Sequence, residues 1–314
     1  MAGTRRTVIA ALIGNLLVAA TKAVAAAVTG SSSMLSEAVH SLVDTGNELL
    51  LLHGMHRAQR RPDPEHPLGY GRELYFWSFI VALLLFAAGA GVSTYEGIVH
   101  IRDPEPIRNV TINYIVLGLS LVFEGGSWWV AFNGFRRCVG PEGYWVAIRR
   151  SKDPPQFMVL LEDSAAILGI IAALVGTWAS VRFGDPRLDG VASIVIGLIL
   201  AAVSVVLARE SKGLLIGERA DASLYRAVTS LANATEGVTC TNGLLSMQLS
   251  PDQVVVAASL EFDDGLTVPE IERIVADIEA RLRRERPEVH LLFVKPQTAS
   301  AYAAARERWF GGTG

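Results

Sequence analysis

Residues 33–55 read SMLSEAVHSLVDTGNELLLLHGM. The run is too apolar for a surface helix, yet it carries Glu37, His40, Asp44 and Glu48. Ionisable side chains at membrane depth are costly, and by default they mark an ion path or a proton relay. His40 and Asp44 are four residues apart, so a helix stacks them on one face, one turn above the other. An imidazole and a carboxylate at that spacing are half of a tetrahedral, zinc-type site. The other half must come from another helix, and the run MVLLEDSAAILGIIAALVG at 158–176 offers Glu162 and Asp163. The alternative for His40 and Asp44 is an intramembrane hydrogen bond that packs two helices. Glu37 and Glu48 are expected nearer the two helix ends, at the headgroups.

The rest of the chain has the same character. It has 314 residues, 51% hydrophobic, with a mean hydropathy of +0.35. Such values fit a polytopic membrane protein with a soluble part. Six apolar stretches approach the twenty residues that a bilayer needs: about 7–29, 33–55, 74–100, 111–135, 156–182 and 187–209. The apolar run after Arg5 and Arg6 continues to Val28 without a clear cleavage site, so it reads as a spanning helix rather than a signal peptide. Lys22 within it is expected to snorkel to the outer interface. Glu124 is a further acid inside the fourth stretch, a candidate proton relay or a neutral, hydrogen-bonded acid. Asp189 is expected to be a cap or a charge at the outer mouth. A net charge of −3 indicates no nucleic-acid partner. Cys138 and Cys240 form no CxxC motif, so neither a disulfide framework nor a thiolate zinc site is indicated. No nucleophile–base pair or phosphate loop points to an enzyme, and no cofactor is expected.

Arginine and lysine set the orientation. Arg5, Arg6, Arg57, Arg60, Arg61, Arg72, Arg136, Arg137, Arg149, Arg150, Lys152, Arg209 and Lys212 fall on one side. The opposite loops hold only Arg102, Arg108, Arg182 and Arg187. The positive-inside rule then places both termini in the cytoplasm. After Gly217 the pattern changes. A helix is expected over 221–236, strands over GLLSMQLS (243–250) and QVVVAASLEF (253–262), a helix capped by Thr267 and Glu270, and a strand VHLLFVKP (289–296). The tail from residue 301 is expected to be a frayed helix or disordered. The fold class is therefore an α-helical membrane protein with six transmembrane helices plus a small cytoplasmic α+β (αββαβ) domain. The divisions are 1–212, 213–300 and a tail, 301–314.

SSSMLSEAVHSLVD (31–44), HPLGYGRELYFW (66–77), YEGIVHIRDPEPI (95–107) and the small C-terminal domain resemble the cation diffusion facilitator family, over residues 8 to about 297. The resemblance implies a homodimeric, proton-coupled antiporter in a lipid bilayer, exporting a divalent metal from the cytoplasm: zinc, or manganese or iron. Its second-helix metal pair falls on His40 and Asp44. Its fifth-helix pair falls on Val159 and Asp163, and valine cannot ligate. The resemblance is then to a branch with Glu-Asp in that helix, where Glu162 is the candidate for the missing ligand. Adjacent residues point about 100° apart on a helix, so both facing one ion needs a local distortion. A carboxylate-rich set shifts preference from zinc towards manganese or iron. The C-terminal domain is expected to be a ferredoxin-like dimerisation platform without a His-rich cluster. The loop with Asp63, His66 and Tyr70 is expected to be structural rather than a metal site. The compact loops favour a prokaryotic inner membrane. The rival reading is a non-transporting dimeric metal sensor or scaffold, motivated by the altered fifth-helix pair.

Overall fold

The computed structural model describes residues 2–105, 107, 109–136, 139–141 and 143–311. Arg108, Arg137 and Cys138, named above, and residues 312–314 of the tail lie outside them. The chain divides into two compact units, Met1–Leu215 and Ile216–Gly314.

The first unit holds six long helices: α1 (Ala2–Thr29), α2 (Ser32–Ala58), α3 (Glu73–Arg102), α4 (Val110–Arg136), α6 (Pro154–Phe183) and α7 (Arg187–Ile216). A short α5 (Tyr144–Arg150) lies between α4 and α6. Helices α1, α3, α4, α6 and α7 are long and apolar enough to cross a membrane. Helix α2 is 27 residues long but, with Glu37, Asp44 and Glu48 in it, is not among them. Local chemistry sets the ends. Gly30, at φ 69°, turns α1 back on α2, and the Ser31 hydroxyl accepts the Met34 N–H at 3.2 Å. Pro154 and Pro155 open α6, and Gly184 closes it in the left-handed region at φ 68°.

The unit buries its ionisable side chains beside an apolar core and exposes apolar residues outside. Leu35, Leu42 and Leu49, spaced seven apart on α2, are exposed. Glu37, His40, Asp44, Asn47 and Glu48 on the opposite face are buried. Water would reverse that distribution, whereas hydrocarbon demands it. Helix α2 packs on α1, α3 and α6. Helix α3 passes through a π-helical segment, Leu85–Ala90, before meeting α7 backbone to backbone. A Cβ on Gly97 would lie 2.6 Å from the Gly190 carbonyl oxygen and 2.9 Å from the Ile194 nitrogen. A Cβ on Gly197 would lie 3.0 Å from the Ala90 oxygen. Only glycine permits this approach.

The second unit runs α8 (Ala222–Asn233), β1 (Val238–Ser250), β2 (Gln253–Phe262), α9 (Val268–Glu285), β3 (Val289–Pro296) and α10 (Ala299–Phe310). Its sheet has the order β1-β2-β3, with β1 antiparallel and β3 parallel to β2. Alternate residues Val254, Val256, Ala258 and Leu260 of β2 are buried with Leu224, Val228, Ile278 and Leu282 of the helices. Glu270 Oε2 accepts from the Thr267 N–H at 2.7 Å and its hydroxyl at 2.6 Å, which opens α9 and holds the carboxyl below its ordinary value. Strand β1 begins at Val238, earlier than expected, because register shifts between Val238 and Cys240 and between Thr241 and Gly243 disguise its alternation. The tail is helical rather than disordered as far as Phe310. Thr298 caps it by accepting the Ala301 N–H at 3.3 Å, and Tyr302 occupies the space over Gly243.

Candidate metal centre

The inward face of α2 repeats polar residues at i, i+4 and i+7: His40, Asp44 and Asn47. His40 Nδ1 lies 3.4 Å from Asp44 Oδ1. Neither ring nitrogen of His40, nor Asp44 Oδ1, has a hydrogen-bond partner among the described residues. Buried polar atoms are nearly always satisfied, and those that are not call for a chemical role. A nitrogen and an oxygen donor presented together suit a divalent cation.

Helix α6 supplies the facing acids, and they diverge. Glu162 turns to α2, where its Oε1 accepts from Asn47 Nδ2 at 3.0 Å. Asp163 turns to α4, where its Oδ2 accepts from the Ser127 hydroxyl at 2.9 Å. This is the split of about 100° that an undistorted helix imposes on neighbours. Asp44 lies within electrostatic reach of Glu162, Glu124, Glu48 and Lys22. Val159 is buried in the apolar core. The structure thus brings His40 and Asp44 together and ties Glu162 to Asn47, one turn further along α2, with Asp163 engaged on α4. Among the described residues, no three His, Cys, Asp or Glu side chains already stand close enough to hold an ion.

Several polar residues sit elsewhere than expected. Glu37 and Glu48 are buried in the bundle, and Lys22 turns inward to partners rather than outward. Lys22 is fully buried, with its Nζ 3.0 Å from Glu37 Oε2, 2.9 Å from Ser41 Oγ and 3.9 Å from Glu124 Oε1. Glu48 Oε1 accepts from Asn15 Nδ2 at 3.1 Å. Burial explains both, since a charged or polar group in hydrocarbon finds a partner inside the bundle when headgroups are out of reach. Asp189 is a cap, but of α2 rather than of its own helix. It accepts the Ser33 N–H at 3.1 Å, the Ser33 hydroxyl at 2.5 Å and the Ser31 hydroxyl at 3.0 Å. Asn47 and Ser127, which hold the two acids of α6, were not singled out from the sequence. For Asn47 the signal was present, one turn beyond Asp44 on the same face.

Outside the bundle, the 59–72 loop is internally bonded. Asp63 Oδ2 accepts from the Tyr70 hydroxyl at 2.5 Å. Its Oδ1 accepts the N–H groups of His66 at 2.7 Å and Glu65 at 3.1 Å. The Tyr70 bond, followed by the His66 N–H, holds the Asp63 carboxyl below its ordinary value. The same bond raises the Tyr70 phenol. Arg60 lies over the Tyr70 ring at 4.6 Å. His53 packs edge-on against Trp77 at 4.9 Å.

A bundle with charges within and leucines without, together with a small mixed-sheet unit, defines a multi-pass integral membrane protein. Residues 8–216 match the cation efflux transmembrane domain, and residues 220–294 match the cation efflux protein cytoplasmic domain; the chain belongs to the cation efflux family. That family is one of transporters, not of enzymes. Among its relatives is the protein named proton-coupled zinc antiporter SLC30A9, mitochondrial, of Xenopus laevis. The two are 34% identical over 265 residues, covering 84% of this chain and 47% of that protein. Metal tolerance protein C4 of Arabidopsis thaliana is 33% identical over 220 residues, covering 69% of this chain and 48% of that protein. The cation-efflux pump FieF of Klebsiella pneumoniae is 23% identical over 283 residues, covering 90% and 88%. The chain spans about half the length of the first two.

Proposed function

We propose that this protein exports a divalent metal cation from the cytoplasm in exchange for protons. The observation that carries the reading is the buried His40–Asp44 pair with its unsatisfied donor atoms, on a helix whose Asn47, one turn on, bonds the acid Glu162 of a second helix. In this reading His40, Asp44 and Glu162 take the cation, and Asp163 joins from the α4 side. Zinc is the first cation to test, because a relative 34% identical over 84% of the chain carries a zinc antiporter's name. Manganese and iron follow from the carboxylate-rich donor set.

The exchange follows from the ligands. An imidazole and carboxylates bind metal only when deprotonated, so metal and protons compete for the same side chains. A cytoplasm near neutral favours loading, and a more acidic far side favours release. In this reading His40, the one imidazole in the set, is the main proton carrier. Glu124 is the candidate relay. The helices cross six times, with residues 1–212 as the transport body and both termini in the cytoplasm. Residues 213–300 act as a dimerisation platform, followed by the 301–314 tail. A prokaryotic inner membrane remains the expected setting.

The test is flux of zinc, manganese, iron and cobalt in proteoliposomes holding a pH dye, for the native chain and Asp44→Ala. Exchange of one metal for protons, abolished in Asp44→Ala, supports the reading. No movement of any metal under any gradient overturns it in favour of a sensor or scaffold.

A further inference from the structure

Lys22 is the one fully buried lysine among the described residues, and the exchange just described does not use it. A buried ammonium is tolerated only when its three N–H groups find acceptors. Here three oxygens from two helices surround it: Glu37 Oε2 and Ser41 Oγ of α2 at hydrogen-bond distance, and Glu124 Oε1 of α4 at 3.9 Å. Glu37 Oε1 and Glu124 Oε1 are buried and have no hydrogen-bond partner among the described residues. Glu37 Oε1 lies against Gly169 of α6, in space that only a glycine leaves. Two carboxylates and a hydroxyl are an oxygen set of the kind that binds hard divalent cations. Lys22 also lies within electrostatic reach of His40 and Asp44.

We propose that Lys22 is a tethered cation: its ammonium fills a second cation position formed by Glu37, Ser41 and Glu124, and keeps that position closed to free metal. The inference rests on the transport reading, because a closed second position matters only if metal reaches the first. Its consequence is stoichiometric. One ammonium offsets one of the two acids and occupies the space between them, so a single metal ion enters the cavity. Glu37 also has a holding role. It keeps the ammonium away from His40 and Asp44, where it would compete with the metal.

A structural ion pair joining α1 to α2 would have the same geometry, so the test reads binding rather than folding. Binding of manganese, the harder of the candidate cations, is measured beside zinc by equilibrium dialysis of the full-length chain in detergent, and Asp44→Ala marks the primary site. The native chain is expected to bind one Asp44-dependent equivalent per protomer. Lys22→Met is expected to bind one equivalent more, and Lys22→Met/Glu37→Gln to return to the native count. Independently, Glu37→Gln is expected to weaken the primary site about tenfold, the scale of coupling between neighbouring groups, and the double variant to restore it. This second comparison carries the test if Lys22→Met does not fold. An unchanged count in folded Lys22→Met, or a double variant no tighter than Glu37→Gln, overturns the proposal and leaves the transport reading standing. Absence of any Asp44-dependent equivalent in the native chain overturns both.

Discussion

Replacing Asn47 with alanine removes the amide that donates to Glu162 Oε1 at 3.0 Å, in a fully buried position. A hydrogen bond to a charged group is worth about 1.5–3 kcal/mol. At 1.4 kcal/mol per factor of ten, its loss corresponds to about a 10- to 150-fold change. Partners that orient metal ligands typically cost 10- to 100-fold in affinity when removed, so the two estimates, both roughly tenfold or more, agree. Asn47→Ala is therefore expected to raise the half-saturating metal concentration for flux by at least about tenfold. The purified protein should stay monodisperse, since the side chain leaves from a helix interior that alanine favours. Flux in proteoliposomes over a range of metal concentrations gives the number. The decisive comparison is in a Glu162→Ala background. If Asn47 acts by holding Glu162, removing it there has no further effect. Full additivity of the two changes, or an unchanged affinity in Asn47→Ala alone, refutes the assignment of Glu162 to the site.

Gly97→Ala is expected to cost about 1–3 kcal/mol, because its Cβ meets α7 backbone that cannot swing aside. A lowered melting temperature in detergent checks this, with Gly46→Ala, where a Cβ meets nothing within 4 Å, as the control that should not fall. Asp189→Ala strips three hydrogen bonds from the start of α2 and should destabilise by roughly 3 kcal/mol or more, read in the same melt. Tyr70→Phe should let the Asp63 carboxyl rise towards its ordinary value and loosen the 59–72 loop. Because the folded value is depressed, the loop's stabilisation is present above the ordinary carboxylate range and is lost as pH falls through the folded value. Proteolysis of the loop should thus rise on acidification in the native chain, and be raised already at neutral pH in Tyr70→Phe.

The five long apolar helices were legible because runs of about twenty apolar residues survive any detail of packing, and the α9 start was legible because Thr267 and Glu270 satisfy each other locally. The His40–Asp44 pair was legible for the same reason, being one turn apart. What depends on two segments meeting was harder. Lys22, Glu37 and Glu48 were assigned to interfaces by their distance from helix ends, although α1 and α2 are joined only through Gly30 and Ser31. In so tight an antiparallel pair, residues at equal distances from the turn are neighbours. Counting outward places Lys22 opposite Glu37 and Ser41, and Asn15 near Glu48, as the bonds show. The Asp189 cap joins positions 156 and 158 residues apart, and no local rule reaches that far. The divergence of Glu162 and Asp163 was legible as geometry, but which of them turned towards α2 was not.

The poor hydropathy of α2 bears on how the chain is made. As a nascent segment it would face the translocon carrying Glu37, Asp44 and Glu48, and charged residues at a helix centre oppose insertion by roughly 2.5–3.5 kcal/mol each. Its leucines return only about 0.5 kcal/mol apiece. Helix α1 carries one such charge rather than three, and it brings that charge, Lys22, with Asn15 to the positions where α2 needs a cation and an amide. The two should therefore partition into lipid as one hairpin, with α2 alone left in water and α1–α2 together taken up. A glycosylation reporter placed after each would record the difference. The side chains that serve the finished carrier would then also have served, during synthesis, as its passport into the bilayer.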